Sequence, residues 1–225
     1  MFKISKIFIF LIIFCIPANA HVEHYSNLNR VEFDIYRNNN HIGKHIFSIE
    51  KNGSKLLVKS EINFEIKKFG IVIYKYLLKS TEVFDNGMLI EFNSTTQQNK
   101  KQKYVNMKLK NDEYIIDGSS YKGTVPIDYM PGTWWNHSIV SSKAQISPSS
   151  GRIIDQNVKF LGKEKIKIGH KIIDTLHFNF TSSDKKLSKD KKLNMHIWYE
   201  ENTLTWVKAY FKKKGEWEYR LQSLN

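Results

Sequence analysis

The sequence predicts an all-β protein: an antiparallel meander that forms a strongly curved sheet or open barrel, with one short helical insertion near residues 133–140. Three observations carry this expectation. Apolar and polar residues alternate over much of the chain with the period of two that marks half-buried strands. Clusters of Asn, Asp and Gly interrupt the alternation at short intervals, and these residues tolerate the positive φ of tight hairpins. Some runs, such as Lys55 to Lys67 and Ile71 to Phe84, are long, which favours a curling sheet over a compact sandwich.

Taken in order, the first run is Val31-Glu32-Phe33-Asp34-Ile35, closed by Asn38-Asn39-Asn40. Asn52-Gly53 marks the next turn and Glu61 to Lys67 the next alternation. Asp85-Asn86-Gly87 is a third turn. Val105, Met107 and Leu109 then interleave with Asn106 and Lys108, up to Asn111-Asp112. Further on, Ile166 and Ile168 interleave with Lys165 and Lys167 before Gly169-His170. Leu176, Phe178 and Phe180 interleave with His177 and Asn179, and Met195, Ile197 and Tyr199 with His196 and Trp198. One face of each strand should meet a core and the other water. The segment from Ser182 to Lys192 is lysine-rich and reads as a solvated loop.

From Val125 to Ser150 the alternation stops. Pro126, Pro131, Gly132, Trp134, Trp135, Asn136 and Pro148 lie here, and a helix or turn is expected near Thr133 to Val140. A connection this long between strands is usually functional or a plug. It joins strand groups at about 30–118 and 151–223 within a single domain, residues 21–225.

Residues 1–20 read as a cleaved signal peptide. Lys3 and Lys6 form a basic start, Ile7 to Pro17 is almost wholly apolar, and Ala18-Asn19-Ala20 supplies a small-x-small cleavage pattern. A membrane span needs roughly 20 apolar residues, more than this run offers. The expected location is therefore periplasmic or secreted, with the chain soluble after cleavage. Cys15, the one cysteine, leaves with the leader, so neither disulfide nor thiolate chemistry is expected of the remainder. A domain of about 200 residues can bury roughly 70% of its unfolded surface and hold itself by its core.

The formal net charge is +13, and removal of Lys3 and Lys6 leaves +11. Such basicity suits an anionic membrane surface, acidic glycans or nucleic acid. A Lys-, Ile- and Asn-rich composition also accounts for it, and only Arg30, Arg37, Arg152 and Arg220 offer the guanidinium fork. Export and the lack of any nucleic-acid-binding motif exclude nucleic acid as the expected partner.

Met130-Pro131-Gly132-Thr133-Trp134-Trp135-Asn136 is the most distinctive stretch. Paired tryptophans can form a stacking platform for a ligand, or plug one open end of a curled sheet; both readings stand, and they are compatible. His21, as a new N-terminus, could chelate copper with a further imidazole from His24, His41, His45, His177 or His196. Nothing fixes that partner, and His41 and His45, on one side of one strand, lie about 13 Å apart at strand rise. No metal site or cofactor is therefore expected. There is no Gly-x-Ser-x-Gly elbow and no His-Glu-x-x-His helix, so no catalytic residue is assigned.

Phe33-Asp34-Ile35-Tyr36-Arg37-Asn38 through His41-Ile42-Gly43-Lys44-His45 resembles the opening of a family of exported, β-rich bacterial domains of unknown function, seen mostly in Gram-negative species. Phe69 to Tyr76, Trp135-Asn136 and Trp198-Tyr199 extend the resemblance across about Val31 to Leu221. It implies a single exported β-rich domain and carries no established activity. It also marks Gly43 and the Trp135-Asn136 pair as family features.

The functional expectation is a non-catalytic envelope binding module for an apolar or amphipathic ligand, with basic rim residues meeting an anionic headgroup. Tyr129, Trp134, Trp135, Asn136 and Trp198 are the candidate ligand-binding residues. Barrel mouths favour such sites. The expected partners are a lipid or other amphipathic ligand and an anionic membrane surface, with the oligomeric state open. The alternatives are a structural or protein-interaction domain with a filled core and an enzyme acting on envelope glycans or lipids.

Overall fold

A computed structural model describes residue 25 and residues 28–184, 187–188 and 192–224. Residues 1–20, read as a signal peptide, and His21 and His24 lie outside the described residues. Strands β1 (Arg30–Arg37), β2 (Asn40–Asn52), β3 (Lys55–Lys68), β4 (Ile71–Asp85), β5 (Met88–Gln98), β6 (Lys101–Lys110), β7 (Glu113–Gly118) and β8 (Lys122–Pro126) form the first group. Then come β9 (Tyr129–Pro131), a 3-10 helix (His137–Ser141) and β10 (Ala144–Ile146). The second group is β11 (Ile153–Ile168), β12 (Lys171–Ser182), β13 (Asn194–Glu200), β14 (Trp206–Lys212) and β15 (Glu216–Leu224). The fifteen strands make one nearly closed, barrel-shaped sheet in the order β8-β7-β6-β5-β4-β3-β2-β1-β15-β14-β13-β12-β11-β10-β9.

Pairing is antiparallel throughout except for β9 with β10. The first and last strands meet in the middle of the sheet, with Ile35 opposite Tyr219. The expected curved antiparallel sheet is thus observed. Its turns fall where the Asn and Gly clusters lie: Asn38 and Asn39, Asn86 and Gly87, and Asn111 and Asp112 all have positive φ.

Alternation decides what is buried. Val31, Phe33 and Ile35 of β1 are buried, as are Val105 and Met107 of β6 and Met195, Ile197 and Tyr199 of β13. Phe33 stacks on Trp206 at 3.9 Å across the interior face of β1 and β14. The outward faces carry cross-strand ion pairs instead, such as Lys59 with Glu50 and Lys79 with Glu61. A charged exterior around an apolar interior is the reverse of a lipid-facing barrel. No helix among the described residues is long and apolar enough to cross a membrane.

One bulge corrects the sequence count. The β1–β2 register shifts between Ile35 and Tyr36, so Gly43 lies opposite Ile35 while His41 lies opposite Tyr36. His41 therefore turns outward to Asp34, at 3.2 Å, while His45 is buried against Phe47. The two imidazoles face opposite sides rather than one.

Gly43 lies where β3 comes closest. A Cβ there would stand 2.1 Å from the Asn63 carbonyl oxygen and 2.5 Å from Phe64 Cβ. The Ile42-Gly43 dipeptide is thus a packing requirement of the sheet. Gly43→Ala should lower stability by about 1–3 kcal/mol, as overpacking does, and should shift the urea midpoint without abolishing the β-sheet circular dichroism.

Candidate ligand-binding cavity

The insertion between the two strand groups passes through the barrel interior. Asn136 caps the 3-10 helix, its side-chain oxygen accepting from the Ser138 N–H at 3.0 Å. Trp135 is 2% exposed, and its indole N–H donates to Glu82 of β4 at 2.8 Å. On the other side the Tyr199 hydroxyl of β13 donates to the Trp134 carbonyl at 2.9 Å. Below the helix, Gln156 donates to the carbonyls of Ile139 and Ser142. The insertion is thus a plug tied to both halves of the sheet.

The plug leaves space at the end of the barrel where the β1–β2, β3–β4 and β14–β15 turns lie. A cavity of about 600 Å³ opens there. Its wall follows from the pairing of β3 with β4. Ile62, Phe64 and Ile66 stand opposite Leu78, Tyr76 and Tyr74, so each rung presents two apolar side chains inward. Phe64 stacks on Tyr76 at 4.9 Å, and Trp217 meets Phe64 edge-on at 5.2 Å.

Trp134 stands between this cavity and an adjoining one of about 770 Å³, which share Leu193 and Phe211. Its backbone has φ +62°, uncommon for a bulky residue. Edge-on contacts with Trp206 and Tyr219, both at 5.8 Å, hold the ring in place. Gly132 permits the approach, because a Cβ there would stand 2.7 Å from Gln145 Oε1.

The rim is cationic. Arg37, Lys213 and Lys214 border the first cavity, and Arg152, Lys192 and Lys212 extend the border of the second. No Asp or Glu lines either among the described residues. Lys212 is paired with Glu216 at 2.8 Å. The Arg37 guanidinium lies 5.8 Å above the Trp217 ring and donates to the Lys214 carbonyl. Its Nε is buried with no hydrogen-bond partner among the described residues. An unpartnered buried N–H at an apolar mouth is a ready donor for an anionic oxygen.

His45 closes the inner side, its Nε2 2.8 Å from Ser60 Oγ and its Nδ1 without a partner among the described residues. Burial pushes its pKa down to about 3, so the imidazole is neutral.

Of the five candidate residues read from the sequence, Trp134 lines both cavities. Trp135 and Asn136 stand behind it, in the plug. Tyr129 is half-buried on β9, opposite Ala144. Trp198 lies on the outer side of β13, stacked on His177 at 4.2 Å, with its indole donating to Glu164. Sequence reasoning missed Arg37, Phe64, Tyr74, Tyr76 and Trp217, whose alternation is indistinguishable from that of ordinary core positions. Among the described residues, no group of three His, Cys, Asp or Glu side chains is placed to hold a metal.

A family model described as Domain of unknown function (DUF6134) matches residues 33–222. No curated protein matches the sequence. Among solved structures, a beta-barrel-like protein of domain of unknown function DUF1849 from Brucella abortus is similar, with a TM-score of 0.61 at 8% identity. The alignment covers 87% of this chain and 96% of that one, and it shows the fold alone. A DUF1329 family protein from Desulfovibrio piger aligns over 92% of this chain and 89% of its own, at 10% identity and a TM-score of 0.26.

The plug's tie to the sheet titrates. Burial pushes the Glu82 carboxyl up to about 7, against lowering hydrogen bonds from Trp135 and Thr133. A carboxyl whose folded pKa exceeds its unfolded value holds its proton more tightly when folded. Its stabilisation is complete below about 4.5 and is lost as pH rises through about 7. Glu82→Gln keeps an acceptor for Trp135 without a charge. The variant should match the parent near pH 4.5 and exceed it by roughly 3 kcal/mol at pH 8, read from denaturant midpoints at both pH values.

Proposed function

This chain belongs to the DUF6134 family of domains of unknown function, and we propose that it is a non-catalytic binding module for an anionic amphiphile. The apolar part of the ligand enters the cavity between β3–β4 and Trp134, and its headgroup meets Arg37, Lys213 and Lys214 at the rim. One observation carries this reading: an aromatic cavity of about 600 Å³ whose border, among the described residues, holds cations and no carboxylate. That volume lies in the range of small-molecule sites, which are mostly apolar with a few placed polar groups. A medium-length acyl chain suits the Phe64–Tyr76 and Trp217 walls, and a carboxylate, sulfate or phosphate suits the Arg37 Nε–H.

The leader at residues 1–20 gives the setting: the module acts in the envelope or outside the cell, where amphiphiles need a carrier or a sensor. Trp134 is the ligand-contacting member of the Trp pair, and Trp135 with Asn136 holds it in position.

Isothermal titration with dodecanoate, dodecanol and dodecyltrimethylammonium, each below its micellar concentration, tests the reading. Dodecanoate should bind most tightly. Arg37→Gln should weaken dodecanoate about tenfold and leave dodecanol nearly unchanged, because a hydrogen bond to a charged group is at stake. Trp134→Ala should weaken both. Absence of dodecanoate binding, together with an empty native mass spectrum for protein purified from its own cells, removes the proposal.

A further inference from the structure

The tip of the β3–β4 hairpin departs from the residue choice at several of the chain's tight turns. At the β1–β2, β4–β5 and β6–β7 turns, the first central residue is Asn38, Asn86 or Asn111, with φ between 48° and 50°. Asn adopts that left-handed conformation readily. The β3–β4 turn needs the same conformation and places Phe69 there, at φ +50°, followed by Gly70 at +77°. A bulky aromatic residue is unfavourable in that region. No apolar packing in the fold repays it, because the Phe69 side of the turn is bare: the residue is 92% exposed. Strain without packing points to a use for the ring outside the fold.

Its surroundings indicate that use. Ile71 is 69% exposed and Ile73 55%, both on the strand that leaves the turn. Elsewhere the outward face of β3 and β4 carries charge, as in the Lys59–Glu50 and Lys79–Glu61 pairs. Lys67, Lys68 and Lys75 flank the apolar tip, with Glu65 as the carboxylate that Lys67 and Lys75 share. Among the described residues Lys68 has no carboxylate partner, and its ammonium lies 5.6 Å from the centre of the Phe69 ring. Three lysines against one glutamate leave the tip positive. An aromatic and two β-branched side chains ringed by lysines fit the interface of an anionic bilayer, where the rings enter the acyl boundary and the ammonium groups meet the headgroups.

We propose that the β3–β4 tip is a membrane-docking anchor for an anionic lipid surface. It occupies the cavity end of the barrel: Ile66 and Tyr74, a few residues below Phe69, already line the cavity. Arg37, Lys213 and Lys214 stand at the same end. Docking therefore turns the mouth towards the lipid, and Ile66, Tyr74, Phe64 and Tyr76 form an apolar track into the cavity from that end. That the track conducts a ligand rests on the binding reading above; the docking itself does not.

Flotation with vesicles of phosphatidylglycerol and phosphatidylcholine, against phosphatidylcholine alone, tests the proposal. The parent chain should float with the mixed vesicles and much less with phosphatidylcholine. Phe69→Asn places there the residue used at the β1–β2, β4–β5 and β6–β7 turns, so its thermal midpoint should equal or exceed the parent's. Its partition coefficient should fall about tenfold or more, the loss of one buried aromatic side chain. Lys68→Ser should lower partitioning about fivefold at low salt. A gain in stability with a loss of binding is a result that mere damage to the fold cannot produce. If the parent does not float, or if Phe69→Asn floats as well as the parent, the anchor is disproved; Phe69-dependent self-association without flotation disproves it equally. Dodecanoate titration of Phe69→Asn without vesicles separates the two readings. Unchanged binding there with lost flotation leaves the cavity intact and assigns docking to the tip, whereas flotation by a chain that binds no dodecanoate leaves docking without the carrier.

Discussion

Fifteen strands curl around more space than their inward side chains can fill, and the rest of this molecule answers that constraint. Barrels of about eight strands fill themselves with side chains, while those of sixteen or more leave a channel. This sheet lies near the upper limit and stops short of a complete ladder, since β8 and β9 end it without pairing to each other. Two devices manage the excess. The segment Pro148 to Gly151 crosses to the first strand group, accepting from Ser94 Oγ at 2.6 Å and from the Ser120 N–H at 2.8 Å. Close contact of Gly118 with Gly151 seals that seam. The 3-10 helix and its flanking tryptophans occupy much of the interior.

The plug needs polar anchors because its backbone runs through an apolar space, where unpaired N–H and C=O groups are expensive. Tyr199 pairs the Trp134 carbonyl, and from the opposite wall Glu82 accepts from the Trp135 indole. A carboxylate in that setting is itself a risk, and the Trp135 and Thr133 donors offset only part of its desolvation. Near neutral pH the anchor is therefore poised between its charged and neutral forms. What the plug does not reach becomes the cavity. Cavity and plug are one solution to one volume problem, and the Trp134–Trp135 dipeptide divides them: the first ring faces the space and the second closes the core.

Much of the fold was legible because strand alternation and turn chemistry are local. Val31 to Ile35 or Met195 to Tyr199 declare their faces within five residues, and Asn86-Gly87 declares its turn within two. The candidate site was legible only where it broke the pattern, as Trp134 does. Phe64, Tyr76 and Trp217 alternate as core residues do, and whether a core position faces packed atoms or open space depends on strands far away in the chain. Trp198 shows the same limit from the other side: it alternates with the buried residues Ile197 and Tyr199, yet stacking on His177 covers it on the outer face. The pairing of His41 with His45 failed for a different reason, since a single bulge in β2 changes parity, and parity is all that a count of residues can use.

Several departures from local consistency meet at the cavity end. Phe69 and Lys214 take left-handed turn positions at the cavity end, and Trp134 does so in the plug. Arg37 Nε and His45 Nδ1, buried and without partners among the described residues, belong to the lining of the same cavity. At the opposite end, Asn86-Gly87 and Asn111-Asp112 follow the turn rules, while Leu204 takes φ +57°. A sequence shaped for stability alone would place asparagine at Phe69 as it does at Asn86, and would give Arg37 a carboxylate. Chains tend to break local rules where function asks for it and keep them elsewhere. The left-handed turn at Phe69, the unmet Arg37 Nε–H and the exposed Phe69, Ile71 and Ile73 side chains meet at one mouth here, and the proposed binding and docking both draw on that end of the barrel.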